Sequence, residues 1–138
     1  MAQESFFKKE LVKELRLVEL LMKKDKDFEK KIYHFSAAYG ITNRTLRYAF
    51  TPDYLLADLV LNSAYQGLVQ RIGMQKSGDL TVQIESAHFE SIEKGLKDLA
   101  DAFENDVSIL EPLEIIFTAA YSLSGPGNYL REKGLLKI

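Results

Sequence analysis

KIYHFSAAYGITNRTLRYAF, residues 31–50, is the stretch on which the reading of this chain turns. Ile32, Phe35 and Tyr39 recur at spacings of three and four and predict a short helix over 29–39. Gly40 follows, the residue that best tolerates the positive φ of a helix end. Thr42 then stands where an N-cap would stand. Its hydroxyl could accept an orphan amide hydrogen from Arg44 or Thr45 and open a short helix through Ala49. Helix, Gly-containing tight turn and second helix is the layout of a helix-turn-helix unit. In such a unit Ile41 would pin the turn to the core and Leu46 would seat the second helix. Asn43, Arg44 and Arg47 would be the donors for base edges, since Arg matches guanine bidentately and Asn matches adenine. Thr42, Thr45 and Tyr48 would reach phosphates.

Outward from this stretch the chain reads as helices. Phe7, Leu11, Leu15, Val18 and Met22 form one apolar stripe and predict a helix over 5–24. Residues 23–27 are a charged connector. Thr51-Pro52-Asp53 combines an N-cap, a proline at the first helical position and an acid facing the helix dipole. It predicts a helix to Ile72 that buries Leu55, Leu59, Tyr65, Leu68 and Ile72. Gly73 to Asp79 predicts a loop. Leu80 to Gln83 suits a strand fragment or a helix start. Phe89, Ile92, Leu96, Leu99 and Phe103 step by three and four, the seam of a packed helix over 84–104. Ser108 and Glu111 have capping-box spacing and predict a helix to about Leu123. That helix is apolar almost all round, as suits a central helix or half of a subunit interface. Ser124-Gly-Pro-Gly predicts a turn, and Asn128 to Leu136 a last short helix. The expected fold class is all-α. Six or seven helices are expected, as a helix-turn-helix-like part over 1–52 and an antiparallel helical bundle over 53–138, or the two as one compact domain.

The 138 residues suffice for a core without staples. With no cysteine, disulfides, thiolate metal sites and a Cys nucleophile are excluded. No apolar run is long enough to predict a transmembrane helix. Met1 to Lys9 lacks the apolar core of a secretory signal, so a cytoplasmic location is expected. Residues 1–50 carry 11 Lys/Arg against 7 Asp/Glu, whereas 51–138 carry 7 against 13. A basic first part and an acidic second part suit a chain that turns one side to nucleic acid, and equally a solvated helical surface on which like charges cluster by chance.

GITNRTLRYAFTPDYLL, starting at Gly40, resembles the recognition helix and following helix of TetR-type regulators. Gly40, Ile41, Thr42, Thr45, Leu46, Tyr48, Phe50 and Leu56 carry the resemblance, which covers about residues 5–60. The local run is also similar to MerR-type regulators, which usually begin with the motif. Three features depart from the TetR pattern. Asp27-Phe28-Glu29 replaces the usual Gly and Thr of the first connector. Arg47 replaces an aromatic. The 78 residues after position 60 are short for an effector domain. The resemblance implies a transcriptional regulator that binds double-stranded DNA as a homodimer, its recognition helices about 34 Å apart. A small-molecule effector is left open.

Catalytic constellations are lacking. Glu85-x-x-His88 has the spacing of bundle di-metal proteins, but His34 has Lys31 three positions before it and supplies no second pair. There is no Gly-x-Ser-x-Gly elbow and no phosphate-cradling glycine loop. No catalytic residue, metal or cofactor is expected. The competing expectation is an all-α interaction or scaffold protein with no nucleic-acid role, its apolar sixth helix docking a copy or a partner.

Overall fold

A computed structural model describes residues 2–79 and 84–121. They form five helices: α1 Ala2–Lys24, α2 Phe28–Tyr48, α3 Pro52–Lys76, α4 Ser86–Glu104 and α5 Leu110–Tyr121. The all-α expectation holds. The expected elements at Leu80–Gln83, 124–127 and 128–136 lie outside the described residues.

Gly40 does not end a helix. α2 runs unbroken through it, so the expected helices 29–39 and 42–49 are one and the tight turn between them is absent. The reason lies in the pattern on either side. Ile32, Phe35, Ala38, Ile41, Thr42 and Thr45 keep one buried stripe through the glycine. A mid-helix Gly costs about 1 kcal/mol relative to Ala. Burying Ile41 alone returns about 1.5–3 kcal/mol. Gly40 also lacks the positive φ that a turn would need. Thr42 is therefore no cap. Its hydroxyl donates back to the Tyr39 carbonyl at 2.8 Å, the usual habit of a threonine inside a helix.

The real caps are elsewhere. Asp27 opens α2, its carboxylate accepting from the amides of Glu29 at 2.8 Å and Lys30 at 3.2 Å. Thr51 caps α3 as expected, accepting from the Tyr54 amide at 3.1 Å. α3 passes Ile72 and absorbs most of the expected loop at 73–79, ending at Lys76. There the Gly78 amide donates to Gln75 O and the Asp79 amide to Met74 O, the two bonds of a Schellman motif. Gly78 takes the left-handed conformation that the motif requires. α5 begins two residues beyond the expected Ser108, so the capping-box register does not form; the Ser108 hydroxyl accepts from the Leu110 amide at 3.3 Å.

The main packing contacts run α1–α2, α2–α3, α3–α5, α5–α4 and α4–α1, a closed circuit of neighbours in a helical bundle. Leu11, Leu15 and Met22 of α1, Phe35 of α2, Leu61 of α3, Leu96 of α4 and Ile116 of α5 are fully enclosed. Leu59, expected in the core, points to solvent. α5 is apolar on most sides because α3 and α4 both pack on it. Two glycines permit that approach. A Cβ on Gly67 would stand 2.7 Å from the Tyr121 ring, and one on Gly95 would stand 2.5 Å from Ile116 Cγ1.

Candidate interaction surface

The structure separates the six residues expected to touch DNA. Thr42 and Thr45 are buried, and the Thr42 hydroxyl also reaches the Asp58 carboxylate at 3.3 Å. Neither can meet a phosphate, which corrects that expectation; both side chains are part of the stripe that holds α2 on the bundle. Asn43 is half-buried. Arg44, Arg47 and Tyr48 are exposed near the C-terminal end of α2. Of the four arginines among the described residues, Arg16 binds Asp101 at 2.9 Å and also Glu104, and Arg71 lies over the Tyr121 ring at 4.7 Å. Arg44 and Arg47 make no ion pair among the described residues.

Tyr48 links this end of α2 to α1, stacking on Phe7 with ring centres 5.1 Å apart and planes nearly parallel. Phe6 meets Phe7 edge-on. Lys8 bonds Asp106 at 2.9 Å, so the start of α1 also meets the α4–α5 connection. Tyr54 near the start of α3 packs on Phe103 near the end of α4. One end of the bundle therefore gathers the start of α1, the end of α2, the start of α3 and the α4–α5 connection.

That end carries unburied apolar side chains: Phe6 (58% exposed), Tyr48 (62%), Phe50 (68%), Val107 (58%) and Leu110 (47%). Val107 and Leu110 line a groove of about 450 Å³ together with Asp98, Asp101 and Glu111. Apolar surface gathered within a polar rim marks a contact surface, whereas single exposed apolar residues mark nothing. Comparison with protein-family models, curated proteins and solved structures returns no match.

Elsewhere both histidines are held by neighbouring groups. His88 Nδ1 accepts from the Glu85 amide at 2.9 Å, so the Glu85-x-x-His88 spacing serves the start of α4. His34 Nε2 lies 3.3 Å from the Asp25 carboxylate. Burial pushes the Asp25 carboxyl up, but the Asp27 amide and His34 outweigh it and hold it below its ordinary value. Among the described residues no group of three or more His, Asp or Glu could hold a metal ion, and no helix is long and apolar enough to cross a membrane.

Two buried charged sites escaped the sequence reading. Lys31 donates to Glu93 at 3.0 Å and to the Met22 carbonyl, tying α2 to α4 and to the end of α1. Its ammonium also faces the Phe89 ring at 5.9 Å. Arg71 and Tyr121 form the second site, with the phenol donating to Ser63 O at 2.7 Å. Burial lowers the Arg71 pKa, which Tyr121 partly counters, and burial raises that of Tyr121, which Arg71 partly counters. Glu93 sits on the α4 seam, one residue after Ile92. That register was the only signal in the sequence that its charge would be enclosed.

Proposed function

We propose that this chain is a non-enzymatic helical interaction module whose working surface is the end of the bundle formed by Phe6, Tyr48, Phe50, Val107 and Leu110. The observation that carries the reading is the gathering of these exposed side chains, from both halves of the sequence, on one end. Aromatic residues and Arg are enriched in the centres of protein interfaces, where they contribute large contact area at low entropic cost. Tyr48, Phe50, Arg44 and Arg47 match that composition. Among the described residues, His88 serves the start of α4, His34 meets Asp25, and the Lys31–Glu93 pair ties α2 to α4.

A second reading keeps nucleic acid as the partner, as in a transcriptional regulator. It is favoured by Arg44 and Arg47, which are exposed and without ion-pair partners among the described residues. Against it stand the buried Thr42 and Thr45. Both arginines also lie toward the C-terminal end of a helix, where the dipole is negative and phosphate is disfavoured.

Photocrosslinking in cells tests both. A Phe50→benzoylphenylalanine variant should give protein adducts, and a Leu59→benzoylphenylalanine control on α3 should not. Adducts at both sites or at neither contradict the module reading. Adducts to nucleic acid alone replace it with the second.

A further inference from the structure

Building on the interaction-module reading, we propose that the partner seated on this end is a second copy of the chain, joined through a two-fold axis that passes near Phe6.

The argument is one of charge and position. α1 packs between α2 and α4, so the end of the bundle has two halves with the start of α1 between them. One half is aromatic and basic. Arg44 and Tyr48 lie one turn apart on the same face of α2, followed by Arg47 and Phe50. The other half is aliphatic and acidic. Residues 98–111 hold Asp98, Asp101, Glu104, Asp106 and Glu111, with no Lys or Arg.

Part of that acidic charge is answered within the chain. Lys94 takes Asp98 and Lys8 takes Asp106. Arg16 is shared between Asp101 and Glu104, and Lys9 and Lys13 line a pocket together with Arg16 and Glu104. Glu111 is exposed and makes no ion pair among the described residues. Its charge is opposite to that of Arg44 and Arg47, which also make no ion pair among the described residues. Asp53 also lies at this end, but in the first turn of α3 the positive end of its own helix answers it.

An isologous interface needs a surface that is complementary to itself under a two-fold rotation. A basic half beside an acidic half is such a surface. Rotation about the middle sets Arg44 and Arg47 of each copy against the Val107–Glu111 segment of the other. Phe50 and Tyr48 then cover Val107 and Leu110, and the two Phe6 rings meet near the axis. The apolar side chains supply the contact and the charges supply the register and orientation.

Sedimentation velocity on the full chain, over a range of concentrations, tests this. The wild-type chain should sediment as a dimer, more weakly associated as salt rises. The double variant Arg44→Glu/Arg47→Glu should weaken association at least about tenfold, by setting like charges opposite each other. Glu111→Lys should weaken it in the same direction. All these positions are exposed, so far-ultraviolet circular dichroism should be unchanged. The decisive arm is the mixture. In a heterodimer of Arg44→Glu/Arg47→Glu with Glu111→Lys, both contacts again pair opposite charges, so association should return. A monomeric wild type, open-ended chains of copies, or a mixture no tighter than its components would overturn the proposal. The Phe50 crosslink separates this failure from failure of the underlying reading. Adducts of twice the chain mass support a second copy. Adducts only to other proteins remove the second copy and leave the module reading standing.

Discussion

Replacing Gly40 with alanine separates an unbroken α2 from a helix–turn–helix unit by the sign of one stability change. In the unbroken helix Gly40 sits on the outer face, without positive φ, and an added Cβ would meet no atom within 4 Å. Nothing opposes the ordinary gain from Gly to Ala inside an exposed helix, about 0.8–1 kcal/mol. Part of that gain comes from the smaller conformational freedom of the unfolded chain. For a domain of this size it corresponds to a rise in Tm of roughly 2–5 °C. A turn with Gly40 in the left-handed region predicts the reverse, because the new Cβ would cost about 1–2 kcal/mol there. Thermal and urea unfolding followed by circular dichroism give the sign directly, and an unchanged urea m-value would show that stability changed without a change in the surface exposed on unfolding. Gly40→Pro sharpens the comparison. Inside a continuous helix it should cost about 3 kcal/mol or more by removing a hydrogen bond and striking the preceding turn. A lower Tm for Gly40→Ala would refute the continuous helix and return residues 40–42 to a turn.

The same change at Gly95 should act in the opposite direction. Its Cβ would collide with Ile116 at 2.5 Å, so Gly95→Ala should lose about 1–2 kcal/mol in urea unfolding despite the better helix propensity. Lys31→Ala should cost about 3 kcal/mol by leaving Glu93 enclosed and unpaired, and Lys31→Met/Glu93→Leu should recover most of that loss; a non-recovering double variant would mean that the charges themselves are needed. Tyr121 is an acid whose neutral form the fold favours. Its contribution to stability should hold below its ordinary pKa of 10.0 and be lost as pH rises through the raised folded value. Tyr121→Phe should therefore flatten the alkaline limb of the stability–pH curve relative to wild type, and an unchanged limb would deny that role.

The helices were legible where local and long-range preferences agreed. The stripe from Phe7 to Met22, the Thr51-Pro52-Asp53 start and the Phe89-to-Phe103 seam each combine periodicity with a boundary residue, and each appears as read. Gly40 does not end a helix because glycine punctuates only when nothing stronger spans it. The apolar stripe that continues on both sides was present in the sequence and outweighed the local signal. Ser108 fails to cap α5 for a related reason. Its neighbour Ile109 is buried, so the chain enters the core before α5 begins and the cap position falls beyond the serine. At the candidate surface, the sequence pattern points to Arg44, Arg47 and Tyr48 but through a turn that does not form. The apolar residues that make it a surface lie up to 104 positions apart, from Phe6 to Leu110, and nothing local relates them. Phe6 and Phe50 do carry a faint signal, since each is a large apolar residue standing outside the buried stripe of its neighbouring helix.

Amide hydrogen exchange at low and high protein concentration tests the central claim most directly, because it reads both halves of the end at once. The connections at 49–51 and 105–109 lie at the proposed interface, whereas the outer face of α3 around Leu59 does not. Exchange in both connections should slow together as concentration rises, with no change around Leu59. Slowing in only one connection, or concentration-independent exchange in both, would contradict a self-complementary contact surface at this end.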